Sequence, residues 1–211
     1  ERPMTIRSPQ RRSFLKATAA VGGGLALEFS FPVAANAAKG TAATEVNAWV
    51  VLHPDARVVV RIARSEMGQG TYTALAQLVA EELDADWAKV SAEFASPNEH
   101  IRRNRIWGSM STGGSQGVRS SQDYVRKAGA AAREMLVAAA AAQWKVPASE
   151  CVAEKSVITH PATKRRRRYG QVASAAAKLA PPKDVKLRDP KEWKIAGKPL
   201  HVLLAERYSG G

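Results

Sequence analysis

The sequence has one cysteine, Cys151, in 211 residues. One thiol closes no internal disulfide and cannot hold an iron–sulfur cluster, which takes about four thiolates. Electrons that need such a cluster must therefore travel on another chain. Cys151, beside Val152 and Ala153, is expected to be a small buried residue, as free cysteines commonly are. Histidine is also scarce: His53, His100, His160 and His201 are scattered, and none stands with Cys, Asp or Glu at metal-ligand spacing. No apolar run reaches the ~20 residues needed to span a bilayer. No repeat of 20–50 residues is visible. Acidic side chains are outnumbered, 19 against 32 Lys and Arg, for a formal charge of +13. Residues 38–211 keep about +10 of it. Such a surplus favours anionic partners without choosing among nucleic acid, membrane phosphates, a phosphate-bearing cofactor or an acidic subunit.

What is present begins with Arg11-Arg12-Ser13-Phe14-Leu15-Lys16, a mildly apolar run over 17–27, and the small residues Ala35-Asn36-Ala37. The pattern resembles a twin-arginine export signal cleaved before Ala38, and it predicts a periplasmic protein. Residues 1–37 are set aside as signal, and 38–46 read as a small, polar, flexible leader.

From there the chain reads as α+β: a small β-sheet with packed helices, one of them long and Ala-rich. Two β-branched runs, 48–52 and 57–63, flank His53-Pro54-Asp55-Ala56, which predicts a hairpin. Val58, Val60 and Ile62 share one face. Over 71–83 the period becomes helical, with Leu75, Leu78, Val79 and Leu83 inward, Glu81, Glu82 and Asp84 polar, and Thr71 or Thr73 as cap. Residues 89–96 return to strand, with Val90, Ala92 and Phe94 on one side. Residues 98–111 read as a loop. Residues 118–144 read as one helix, ended by Pro147, with Val125, Ala128, Ala132, Met135 and Ala139 buried. A strand pair over 151–153 and 156–159 and a helix over 171–179 follow. The run Lys164-Arg165-Arg166-Arg167-Arg168 reads as a solvated turn rather than a nucleic-acid site. Beyond Pro181-Pro182 the chain reads as an extended charged segment, 181–211, with Trp193 its only large anchor.

Two loops carry the chemistry. Glu66-Met67-Gly68-Gln69-Gly70 lies between a strand and a helix. Gly68 and Gly70 carry no Cβ, so the backbone can approach a ligand closely, and the helix start behind them offers free N–H groups. Gln69 can present a donor and an acceptor to a heterocycle or an oxo ligand. Glu66 is expected to order the loop rather than act as a base. The second loop, Ser111-Thr112-Gly113-Gly114-Ser115-Gln116-Gly117, also leads into a helix. Its N–H groups and hydroxyls, with Ser120, suit a phosphate or ring nitrogens. Arg119 at its exit could reach a diphosphate.

The stretch from Glu66 through Gly70, then Thr71, Thr73 and Gln77-Leu78-Val79-Ala80-Glu81-Glu82-Leu83, resembles the molybdenum-cofactor domain of the xanthine dehydrogenase/aldehyde oxidase family. Thr112-Gly113-Gly114-Ser115 resembles that family's next cofactor loop. The placement behind an export signal is similar to the large subunit of isoquinoline 1-oxidoreductase-type enzymes. The likeness runs from about Asn47 to Leu200 and includes Thr159-His160-Pro161 and Tyr169-Gly170. It implies that 47–180 is a partial molybdopterin-binding domain. The cofactor would carry molybdenum on a pterin, often as a cytosine dinucleotide, and would oxidise aldehydes or N-heteroaromatics with water-derived oxygen. It also implies iron–sulfur clusters on a separate small 2Fe–2S subunit, with cytochrome c as a possible acceptor. Gly68, Gln69 and Gly70 would line the pterin. Thr112, Gly113, Gly114, Ser115, Gln116 and Gly117 would hold its polar or phosphate portion. The resemblance places no catalytic residue here, because the family's Gly-x-Gly-Glu segment does not occur in this sequence. The chain therefore reads as roughly the N-terminal quarter of a longer subunit, broken off after Leu200 and inactive alone. The competing reading is a self-sufficient exported basic module for an anionic partner.

Overall fold

A computed structural model describes residues 43–203. The expected export signal, the start of the leader and the segment past Leu203 lie outside the described residues. Four strands form one sheet in the order β1-β2-β3-β4. These are β1 (Thr44–Asn47), β2 (Val50–Leu52), β3 (Val58–Ile62) and β4 (Val90–Phe94). The expected hairpin is the antiparallel β2–β3 pair, closed by the Ala56 N–H donating to the His53 carbonyl at 3.0 Å. β1 starts inside the segment read as a flexible leader. It is held because Asn47 accepts from the N–H groups of Trp49 and Val50 and donates to the Ala128 carbonyl, at 2.9, 3.0 and 2.9 Å.

Alternation in β3 works as read: Val58, Val60 and Ile62 are buried and Arg61 faces outward. Arg61 pairs there with Glu45 and Glu93. Helix α1 (Thr71–Leu83) connects β3 to β4, which lie parallel. Parallel neighbours require such a crossover. Val90 is buried, but Phe94 at the far end of β4 is 42% exposed and packs its ring at a tilt against Tyr72 with centroids 4.9 Å apart.

The loop expected over 98–111 contains a short helix, α2 (Pro97–Arg102), capped by Ser96 accepting from the Glu99 N–H. The single helix expected over 118–144 is broken into α3 (Gln116–Arg119) and α4 (Gln122–Trp144). The break falls at Ser121, a buried serine whose hydroxyl is held by side-chain donors from Arg64 and Tyr124. Every residue of the expected α4 stripe is buried.

A second, antiparallel sheet contains β5 (Val152–Glu154), β6 (Val157–His160) and β7 (Arg165–Arg168). The arginine run is thus an exposed edge strand rather than a turn. Backbone pairing with β6 sets its form, and charge on an edge opposes pairing with other chains. Helix α5 (Tyr169–Ala176) starts two residues earlier than read and ends sooner. Cys151 is half-buried rather than buried.

The polar side of α1 is the largest departure. Glu81 and Glu82 are 3% and 0% exposed. Glu81 Oε2 accepts from the N–H groups of Lys194, Ile195 and Ala196 at 2.9, 2.5 and 3.0 Å. Glu82 accepts from Arg126 Nε at 2.8 Å and from the Arg188 N–H. Residues 181–203 have little regular structure beyond a 3-10 turn at Pro190–Glu192, and two carboxylates fasten them to α1 in addition to Trp193, whose ring lies 5.1 Å from the Arg126 guanidinium.

Gly129 is where α4 meets α1. A Cβ there would stand 2.6 Å from the Val79 carbonyl oxygen and 3.0 Å from Glu82 Cβ. Alanine normally stabilises a helix interior over glycine by about 1 kcal/mol. Here Gly129→Ala is predicted to destabilise by about 1–3 kcal/mol through overpacking, read as a lower urea midpoint. An unchanged or higher midpoint would show that the helices separate freely at this point.

Candidate functional site

The first loop is organised by Glu66. Its Oε1 accepts from the N–H groups of Gly68 and Gly70 at 2.7 and 3.0 Å, and its Oε2 from the Tyr72 N–H at 2.9 Å. Gly68 and Gly70 take φ values of 94° and 78°, which only glycine adopts readily. Gly70, without a side-chain cap, occupies the N-cap position that Thr71 or Thr73 was expected to serve. The carboxylate of Glu66 supplies the missing acceptor. Partial burial pushes the Glu66 carboxyl up, but the N–H groups of Tyr72, Gly70 and Gly68 outweigh it and hold it below its ordinary value of 4.5.

Gln69 does not reach outward as expected. Its Nε2 donates to the Ser65 carbonyl at 2.9 Å and its Oε1 accepts from the Met67 N–H at 2.5 Å. Ser65, Met67, Gly68, Gln69 and Gly70 all face solvent, Met67 at 72% exposure, with the polar atoms of the Gln69 amide bonded back to the loop.

The structure brings the second loop against the first. The Ser65 N–H donates to Thr112 Oγ1 at 2.9 Å. Gly117 sits so close to Thr71 that a Cβ would stand 2.8 Å from its Oγ1. Gly113 and Gly114 are exposed, and the N–H groups of Gly113, Gly114 and Ser115 find no acceptor among the described residues. Gln116 faces a cavity of about 560 Å³, lined also by Trp49, Arg64, Trp107, Ser109 and Tyr124. Arg119 is exposed at the end of α3 and forms no ion pair among the described residues.

Gly113-Gly114-Ser115-Gln116-Gly117 also spells the Gly-x-Ser-x-Gly pattern of a nucleophile elbow, which the sequence reading counts as absent. The elbow needs a strand ahead of the serine and a histidine beside it. Residues 109–113 are irregular. His53, His100 and His160 bond to Arg57, Trp107, Thr163 and Glu150 instead, and the His201 ring packs at a tilt against Trp87. No nucleophilic role follows for Ser115.

Sequence reasoning also missed Arg64, which is 5% exposed at the corner of the cavity. The signal was available: Arg64 continues the inward parity of Val58, Val60 and Ile62, where a charge is out of place. A larger cavity of about 610 Å³, lined by Met135, Cys151, Val152 and Leu179 among others, includes no residue of either loop.

The profile of the molybdopterin cofactor-binding domain matches residues 6–202. The chain belongs to this family. It is 36% identical to isoquinoline 1-oxidoreductase subunit beta of Brevundimonas diminuta over 177 residues, covering 82% of this chain and 22% of the relative. It is 34% identical over 159 residues to a membrane-bound aldehyde dehydrogenase [pyrroloquinoline-quinone] of Gluconacetobacter polyoxogenes, covering 72% of this chain and 20% of that protein. Among solved structures, quinoline 2-oxidoreductase from Pseudomonas putida 86 gives a TM-score of 0.46 at 20% identity, over 65% of this chain and 17% of that one. The chain thus spans about a fifth of the length of the curated relatives it matches.

The residues present fit a molybdopterin-type group. The exposed backbone at Gly68, Gly70 and Gly113 has open space where any Cβ would stand. The second loop contributes N–H donors without acceptors, and Arg64 contributes positive charge. The first loop contributes shape only, since Glu66 already fills its convergent N–H groups.

A carboxyl whose folded pKa lies below the unfolded value gives its full stabilisation above about pH 4.5, and loses it as pH falls through the folded pKa. The amide resonances of Gly68, Gly70 and Tyr72 should therefore titrate together below that value. Glu66→Ala should cost about 1–2 kcal/mol, the scale of a lost helix cap, and should raise hydrogen exchange at those three amides. Titration at the ordinary carboxylate value would mean the three bonds are not made in solution.

Proposed function

We propose that this chain supplies one wall of the molybdenum-cofactor site in the large subunit of an exported molybdenum hydroxylase. The junction of the two glycine loops carries the reading. Ser65 bonds to Thr112 and Thr71 abuts Gly117, so the two glycine loops meet, the second of them beside a cavity with a buried cation. Gly68, Gln69 and Gly70 would line the pterin, with Gln69 acting through the shape it gives the loop. Thr112, Gly113, Gly114, Ser115, Gln116 and Gly117 would take the polar or phosphate portion, in the cytosine dinucleotide form. When bound, that group supplies oxidation of an aldehyde or N-heteroaromatic carbon with oxygen derived from water.

In this reading a small 2Fe–2S subunit takes the electrons, with cytochrome c as a further acceptor, and the remainder of the large subunit brings the catalytic carboxylate. The Brevundimonas relative's designation as a beta subunit supports a multi-subunit assembly. Arg11-Arg12 and the residues after them support twin-arginine export to the periplasm. The competing reading, a self-sufficient basic module, finds no support in a family match that runs over 6–202.

The test is cofactor analysis of the full subunit purified with its partner. Stoichiometric molybdenum, a fluorescent oxidised pterin and cytidine monophosphate after acid hydrolysis are expected. Bound pyrroloquinoline quinone without molybdenum would overturn the assignment. Gln69→Ala should lower molybdenum and pterin content together, and unchanged content would remove Gln69 from the site. Replacing Arg11 and Arg12 by lysine should leave the precursor in the cytoplasm, and undiminished periplasmic protein would reject twin-arginine export.

A further inference from the structure

We propose that Arg64 is the seat of a phosphate or diphosphate in the cavity beside the second glycine loop. The proposal rests on the cofactor reading only for which molecule carries the phosphate.

Arg64 is 5% exposed, yet all its acceptors are neutral. Nε donates to Ser121 Oγ at 2.9 Å, one terminal nitrogen to Ser109 Oγ at 3.4 Å and to the Ser111 carbonyl, and the other to Ser120 Oγ at 3.3 Å. Among the described residues no carboxylate lies within 4.0 Å of it, although Arg61, Arg103, Arg126 and Arg188 each have one. A guanidinium has five N–H donors, so one remains unused and two of the bonds are long. A buried charge without a counter-charge is costly and is normally paired. Serine hydroxyls and a carbonyl solvate the charge without neutralising it.

The start of α1 is not free to take an anion. The convergent N–H groups at the start of α1 hold the carboxylate of Glu66. At the junction of the two loops an anion is therefore left with Arg64 and the acceptor-free N–H groups of Gly113, Gly114 and Ser115.

The surroundings favour phosphate. Gln116 and the Ser109–Ser111 hydroxyl pair, which keeps one proton free, line the cavity beside the guanidinium, while the Ser120 hydroxyl accepts from Arg64 and donates to the Gln116 carbonyl at 2.6 Å. A phosphate has three or more oxygens and matches the guanidinium fork. The cavity, at about 560 Å³, holds far more than a single phosphate, leaving room for the molecule that bears it. Trp49 and Tyr124, with ring centroids 5.0 Å apart, wall its side.

The probe is inorganic pyrophosphate, titrated calorimetrically into the purified protein at low salt. Wild type should bind it. Arg64→Met should weaken binding about 10- to 100-fold, the equivalent of one charge-assisted contact, and Arg64→Lys should fall between. Because Arg64→Met could loosen the cavity, Gln116→Ala provides a second variant that leaves the charge in place and removes a cavity-lining amide, expected to weaken binding several-fold with thermal midpoint unchanged. Equal binding by Arg64→Met and wild type would overturn the proposal. So would no binding by wild type, which would leave a carboxylate from elsewhere in the subunit as the partner of Arg64. If the full subunit holds no molybdenum or pterin while pyrophosphate still binds through Arg64, the cofactor reading falls and this site stands. If Arg64→Met keeps wild-type content of pterin and cytidine monophosphate and binds pyrophosphate as wild type does, the site falls and the cofactor reading stands.

Discussion

Two helices that run in the same direction, in contact where Gly129 leaves room for the Val79 carbonyl, place everything else in the site. Three contacts show the direction: Gly117 meets Thr71, Arg126 reaches Glu82, and Arg133 Nη1 donates to the Glu82 carbonyl at 2.8 Å. From Gly117 to Gly129 along one segment, the contact moves from Thr71 to Val79 and Glu82 along the other. The starts of α1 and of the α3–α4 segment therefore lie at one end, and so do the loops that precede them. Had the helices been antiparallel, the loops would stand apart by the length of α1, about 20 Å at 1.5 Å per residue. The parallel β3–β4 pair is part of the same arrangement, because the crossover through α1 returns the chain with its direction preserved.

The end of α1 away from the loops is secured in a different way. Glu81 and Glu82 accept backbone N–H groups from the segment 188–196, which has little regular structure of its own. Charged acceptors make stronger hydrogen bonds than neutral ones. Arg126 pairs with Glu82, and Arg188 with Asp84, so the charge at this end of the helix is matched by cations. Tyr169 closes the arrangement, its buried hydroxyl donating to the Leu83 carbonyl at 2.6 Å. Burial raises the pKa of that phenol, and the proton stays on the donor. The core thus depends on carboxylate-to-backbone bonds where a longer hydrophobic contact would otherwise be needed.

What was legible in the sequence was what local periodicity records. Val58, Val60 and Ile62, the Leu75 to Leu83 stripe and the inward residues of α4 all follow from side-chain repeat and are all buried. The two loops were legible because glycine at positive φ leaves a mark in the letters. The burial of Glu81 and Glu82 was not, since their backbone partners lie about a hundred residues away and a carboxylate on a helix looks solvated until its donors are counted. The arginine run was misread for a related reason: β7 is made by the register Ile158↔Arg167 and its neighbours, a partnership with β6 that composition does not reveal. Gln69 looked free because nothing local says that an amide will turn back onto the Ser65 carbonyl.

The two loops divide the electrostatic work. Each is a turn before a helix, and each could have received an anion in the same way. The first has closed that possibility with its own carboxylate, which leaves it a rigid, neutralised surface suited to lying against a flat ring. The second has no acid among 109–121, and the buried charge behind it, Arg64, is attached to the strand side of the first loop. The cation and the hydroxyls around it thus come from opposite sides of the Ser65–Thr112 contact. A ligand touching both loops would meet shape on one side and charge on the other. That asymmetry fixes which end of an elongated, phosphate-bearing molecule can face which loop, and it follows from one residue, Glu66, having filled the seat that glycine spacing alone would leave open.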